Sequence, residues 1–184
     1  MPSASPSPGE RPSPASALED RFGVILQQQM QGVPLVNPAL KVQAVGFQPW
    51  HDHWLGVLVT PWFMNLMLLP RIDERWQPIA ERDSRHHVFP AGVFEVIGGC
   101  DAELGDYQAC SLFSPMFDFA TQAGATDTAA AALQALFDAA NRPAMDLPAA
   151  APDPVAAAAM AAAPPALSKR GFLFGTAAGA DHGP

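Results

Sequence analysis

The sequence predicts an α+β fold: a single domain with an antiparallel sheet and helices on one face. Three observations predict it. Two segments with helical apolar spacing, around Leu18 and around Leu133, flank the rest of the domain. Between them lie strand-like runs rich in Val, Leu and aromatic residues, spaced as hairpins would be. The 184 residues, 49% of them apolar, suit one core of moderate size plus tails.

Residues 1–15, rich in Pro, Ser and Ala, bury too little to offset chain entropy and are expected to be a disordered tail. The domain is expected over residues 16–142. Ser16-Ala17-Leu18-Glu19 reads as a capping box, in which the Ser16 hydroxyl accepts from the Glu19 amide and the Glu19 carboxylate reaches back. Leu18, Phe22, Ile25, Leu26 and Met30 continue at helical spacing to about Gln31, and Gly32 and Pro34 end the helix. Leu40, Val42 and Ala44 alternate with Lys41 and Gln43, as in a strand with one buried face. Residues 48–52 read as a turn. Residues 54–60, nearly all apolar, read as a central strand buried on both faces and ended by Pro61, which cannot donate to a ladder.

Residues 62–69 are compatible with a short strand or a helical turn. Residues 71–85 are polar, with an isolated Trp76, and read as an exposed excursion. A turn at residues 89–92 leads into two antiparallel strands, 93–98 and 107–113. Thr126 or Asp127 is expected to cap a second helix that runs to about Ala140, with Leu133, Leu136, Phe137 and Ala140 as its apolar stripe and Pro143 beyond its end. Residues 143–166 are an Ala/Pro linker. Residues 167–175 are basic and aromatic and are expected to be a docking motif; residues 176–184 form a second disordered tail.

The formal charge of −8 argues against a nucleic-acid partner, which requires basic patches. With a hairpin turn at 101–106, Cys100 faces roughly Tyr107 and not Cys110, a register that forbids a disulfide. Two unpaired thiols, the lack of an apolar stretch in the first residues, and an apolar run (54–69) shorter than the roughly 20 residues of a membrane span fit a cytoplasmic chain without membrane insertion.

The candidates for chemistry are weak. His51-Asp52-His53 offers two imidazoles and a carboxylate, but in an extended segment Asp52 points away from both histidines, and His86-His87 would have to approach to complete a site. Cys110 in an apolar strand reads as a small hydrophobe, and a rubredoxin-like iron site needs four thiolates. Glu95, Asp101, Glu103 and Asp106 read as solvated carboxylates, three of them in a turn. No catalytic residue, metal ligand set or cofactor is expected.

What the chain offers is apolar surface. Residues 53–70 and 107–117 are uncharged, aromatic blocks, and Thr60-Pro61-Trp62 and Ser114-Pro115-Met116 each set a hydroxyl and a proline at the end of an apolar strand. One account is a strand terminator with a local hydroxyl hydrogen bond. The functional account is a rim in which Trp62, Phe63, Met116 and Phe117 line a groove for an apolar peptide.

At these residues the chain resembles the HybE/HupJ/HoxT family of [NiFe]-hydrogenase assembly chaperones. The resemblance rests on Trp54 with Gly56, Thr60-Pro61-Trp62, the turn at 89–92 followed by Phe94 and Gly98, Tyr107 with the block from Cys110 to Pro115, and Arg170 with Leu173-Phe174-Gly175. It implies a non-enzymatic cytoplasmic accessory protein. Its partner would be the hydrogenase small subunit precursor, with its twin-arginine leader, and other maturation proteins are further candidates. Together with the rim and the tail, it leads to Trp54, Thr60, Pro61, Trp62, Phe63, Tyr107, Phe113, Ser114, Pro115, Met116, Arg170, Phe172 and Leu173 as the expected partner-binding residues. The alternative is a redox-protective accessory protein that shields nascent iron–sulfur clusters through Cys110. Ser168-Lys169-Arg170-Gly171-Phe172-Leu173 itself resembles the twin-arginine leader pattern, and the linker would let it fold back as a pseudo-substrate.

Overall fold

The structure, a computed structural model, describes residues 11–142. Helix α1 (Ala15–Gln28) precedes six strands: β1 (Gln43–Trp50), β2 (His53–Val59), β3 (Met64–Pro70), β4 (Ser84–Phe89), β5 (Gly92–Asp101) and β6 (Gly105–Phe113). Helix α2 (Gln122–Leu136) follows. The strands form one sheet in the order β1-β2-β3-β6-β5-β4, antiparallel throughout. The α+β class and the antiparallel sheet are those the sequence predicts.

The sheet curls strongly. Trp50 and Phe89 belong to opposite edge strands, yet their rings stack with centroids 4.3 Å apart. In a flat sheet with strands about 4.8 Å apart, those edges would be roughly 24 Å from each other. The inner, concave face holds Leu55, Val57, Val59, Leu66, Leu68, Phe94 and Val96, closed by Ala125, Ala129, Leu133 and Leu136 of α2. The outer face holds Leu58, Met67 and Leu69, covered by Leu18 and Phe22 of α1.

The two helices therefore pack on opposite faces, not on one. The reason is visible along β2 and β3: both alternate sets of side chains are apolar, so both faces need cover.

Several boundaries differ from expectation. The capping box does not form. Pro14 stands at the N-cap of α1 with no side-chain bond, and the Glu19 carboxylate instead accepts from the Ala44 N–H at 2.9 Å, tying α1 to β1. Contacts begin upstream of the expected domain start: Arg11 pairs with Asp73 at 2.6 Å, and its carbonyl accepts from Trp54 Nε1 at 3.0 Å. Helix α1 also ends earlier, at Gln28.

Strand β1 starts later than expected and runs through the supposed turn at 48–52. Its register shifts between Val45 and Gln48, which hides its alternation, and Pro49 is tolerated because β1 is an edge. Gly46 makes this possible: it has φ +65°, and a Cβ there would lie 2.6 Å from Leu133 Cδ2.

Residues 62–69 resolve mainly as strand β3. Strand β4 was not expected, because its outward residues, Ser84 and His86, are polar and its apolar signal is short. Helix α2 begins at Gln122, where the Thr121 hydroxyl accepts from the Gly124 N–H at 3.1 Å. Thr126 turns its hydroxyl back onto the Gln122 and Ala123 carbonyls. The helix ends at Leu136, ahead of the expected Ala140. Cys100 pairs with Asp106, while Gly99 pairs with Tyr107; both cysteines are free thiols.

Candidate functional site

The two proline-marked connections meet at one end of the sheet. Between β2 and β3 the chain folds around the Thr60 hydroxyl, which accepts from the Phe63 N–H at 2.9 Å and the Trp62 N–H at 3.3 Å and donates to the Phe63 carbonyl at 2.9 Å. This is the strand-terminating reading of Thr60-Pro61. The β6–α2 connection, with a cis Ser114–Pro115 peptide, runs beside it, and Ser114 Oγ donates to the Trp62 carbonyl at 3.4 Å.

Asn37 joins these loops. It is buried, and its side-chain NH₂ donates to the Met116 carbonyl at 2.9 Å and the Phe119 carbonyl at 2.8 Å. Its Oδ1 accepts from the Ala39 N–H at 3.0 Å, and its own N–H donates to the Pro61 carbonyl at 2.9 Å. Sequence reasoning missed this residue. Asn37-Pro38 is a turn signal, but the partners of a buried amide cannot be read from one.

At this end Thr60, Pro61, Trp62 and Met116 are buried and support the loops from within. Ser114 and Pro115 are exposed, Phe63 and Phe113 are half-buried, and Phe117 is 57% exposed. Phe63 packs edge-on to Phe22 at 5.7 Å and Phe113 edge-on to Phe119 at 5.1 Å, so both rings have a fixed orientation. Trp54 and Tyr107 are elsewhere. Each lies six residues along its strand from this end, about 20 Å away. Arg170, Phe172 and Leu173 lie outside the described residues, as do the linker and the docking motif.

The opposite end of the inner face carries a polar cluster. His87 Nε2 lies 2.7 Å from Gln108 Oε1, and the Gln108 amide donates to the Gln77 carbonyl at 3.2 Å, so His87 Nε2 carries the proton. The His53 and His87 rings are 5.8 Å apart, and Trp76 stands edge-on to His53 at 5.3 Å. Trp76, isolated in the sequence, is thus part of a packed plug. His86 points outward, and no group of three or more potential metal ligands occurs among the described residues.

Burial, and then the charge of His87, hold His53 below the ordinary value of 6.5; burial does the same to His87 against the opposing effect of its Gln108 bond. The unfolded chain therefore binds protons near pH 6.5 that the folded chain refuses. Stability from these groups is complete above pH 6.5 and is lost as pH falls below it, through the lowered folded values. The urea midpoint is expected to drop between pH 7 and pH 5, and His87→Gln to flatten that slope. An unchanged slope would remove His87 from the account.

The exposed thiol is not activated. Cys100 is exposed, but its hydrogen bond to Asp106, some desolvation and the charges of Asp106, Asp101 and Glu81 push its ionisation up. Cys110 is half-buried against the inner core.

The described residues thus form an α+β domain with an apolar rim supported from beneath at one end of its sheet. The comparisons are specific. The family model for [NiFe]-hydrogenase assembly chaperones of the HybE type matches residues 13–175, and the chain belongs to that family, one of assembly chaperones rather than enzymes. HoxT from Cupriavidus necator is 40% identical over 171 residues, covering 86% of each chain. HupJ from Bradyrhizobium diazoefficiens is 36% identical over 159 residues, again 86% of each.

A Rhodobacter capsulatus protein named probable rubredoxin HupJ is 45% identical over 127 residues, which is 69% of this chain but 46% of that one. The solution structure of HybE from Escherichia coli shares the fold, with a TM-score of 0.57 at 19% identity, covering 86% of this chain and 94% of the other. Among the described residues no helix is long and apolar enough to cross a membrane.

Proposed function

We propose that this chain is a cytoplasmic chaperone that binds the precursor of the [NiFe]-hydrogenase small subunit before export, using the rim at the Thr60–Phe63 and Ser114–Phe117 loops. The observation that carries the reading is the exposure of Phe117 on a loop locked from below by Asn37, in a chain of the assembly-chaperone family. An exposed aromatic on a rigid support binds an apolar segment at low entropic cost.

Capture of the purified precursor by the full chain tests this. Phe117→Ser is expected to weaken capture about 30-fold, equivalent to about 2 kcal/mol for an anchoring aromatic, with the circular dichroism unchanged. Normal capture by the folded variant moves the site elsewhere. Competition by a synthetic leader peptide separates binding at the leader from binding at the mature part.

The redox-protective alternative needs a reactive and accessible thiol, whereas Cys110 is half-buried against the inner core and the acidic neighbours of Cys100 disfavour its thiolate. Cys110→Ser is expected to lower stability by about 1 kcal/mol and to leave hydrogenase maturation in air intact. Loss of maturation by the folded variant would transfer the reading to redox protection.

A further inference from the structure

The outer face of the sheet is only partly covered. A helix about 10–12 Å across spans roughly two strands spaced 4.8 Å apart. The outer cluster under α1 draws on β1, β2, β3 and β6, and contains no residue of β4 or β5. On those two strands Val88 is 68% exposed and Ile97 is 51% exposed, with Val93 opposite Val88 in the ladder. Glu95 lies exposed between Val93 and Ile97 on the same face. These apolar side chains lie open on a part of the face that α1 does not reach.

We propose that the chain's own C-terminal segment, residues 169–175, docks on this β4–β5 face. The pattern of the segment matches the pattern of the face. Along β5, an acid (Glu95), an apolar residue (Ile97) and the Gly99 position beside Tyr107 follow one another at two-residue spacing. Arg170, Phe172 and Phe174 follow one another at the same two-residue spacing in the sequence, the spacing that docking in an extended form would use. Laid along β5, the guanidinium meets the Glu95 carboxylate, Phe172 covers Ile97 and Phe174 packs against Tyr107.

The reach is sufficient. There are 27 residues between Arg142 and Arg170, and a chain of that length can reach up to about 90 Å. The family model also runs through residue 175, so it takes in this segment and stops where its aromatic run stops. This docking is independent of the client rim, which lies at the Thr60 and Ser114 loops.

Methyl NMR of the full chain tests the proposal. In the native chain, the Ile97 methyl signals are displaced by the ring current of Phe172, which lies over them. A full-length double variant, Phe172→Ser with Phe174→Ser, loses those displacements and leaves the α1 and α2 signals unchanged. Ile97→Lys, at an exposed position that the core does not need, releases the same segment and gives the tail signals of a free chain.

Unchanged Ile97 methyl signals in the double variant overturn the proposal. So do changes confined to the groove of about 410 Å³ between the β1 bulge and α2, lined by Gly46, Leu133 and Phe137. A concentration-dependent shift with a dimer in sedimentation assigns the face to a second copy and also overturns it.

Discussion

Phe89→Ala is expected to lower the stability of the domain by about 4 kcal/mol, the upper part of the range for truncating a buried aromatic. Phe89 is 1% exposed. Its ring stacks on Trp50 at 4.3 Å and meets Phe94 and Phe137 edge-on at 5.6 and 6.3 Å. The loss is large because of topology. β1 and β4 are opposite edges of the sheet with no ladder between them, so side chains alone hold the curl closed at this point. Removing the ring leaves a cavity that no backbone pairing can collapse.

The His53–His87 cluster adjoins the same closure, since Trp50 also contacts both histidine rings, at 6.0 and 5.7 Å. Opening it admits water, and both imidazoles are expected to titrate closer to 6.5, the reverse of the burial effect. Urea unfolding followed by tryptophan fluorescence gives the first quantity and histidine NMR titration the second. A loss under about 1 kcal/mol would mean that the curl is held by the loops and not by this stack.

The contrast between what was and was not legible follows from the range of each interaction. β2 was legible because its run of apolar residues from Leu55 to Val59 is a local property of the chain. The same run already implied cover on both faces, which conflicts with helices on one face; the structure resolves that conflict by placing α1 outside and α2 inside. The cap of α2 was placed too late because Thr126 and Thr121 are chemically equivalent in sequence. They differ in that Thr121 has extended backbone angles and Thr126 lies within the helix. β1 was obscured by a bulge whose purpose, contact with Leu133, lies 87 residues away at Gly46.

At the candidate site, the Thr60 and Ser114 loops were picked out by their own residues, whereas the amide that joins them was not. Burial was the other missing quantity. Trp62 and Met116 look like rim residues in sequence because aromatic and methionine side chains serve equally well as anchors or as core, and only the packing decides.

Asn37→Ala is expected to cost about 3 kcal/mol and to disable the rim with it. The substitution removes two donors from the Met116 and Phe119 carbonyls and the acceptor for the Ala39 N–H. Buried backbone groups left without partners cost about 1–3 kcal/mol each, offset in part where the loop relaxes to reach water. Asn37→Asp is expected to be worse than Ala, although it is closer in shape. A carboxylate keeps an acceptor for Ala39 but turns a second oxygen towards two carbonyl oxygens, in a site with little water to screen the charge. The order of stability, Asn above Ala above Asp, is therefore the signature of a donor latch, and an Asp variant as stable as Asn would disprove it. In the proposed chaperone, loosening this latch lets the Ser114–Phe117 loop move relative to Thr60–Phe63. Capture of the small subunit precursor should then fall in Asn37→Ala under conditions where the sheet remains folded. If capture is unaffected while the loop is demonstrably mobile by hydrogen exchange, the client does not depend on the rigidity of this rim.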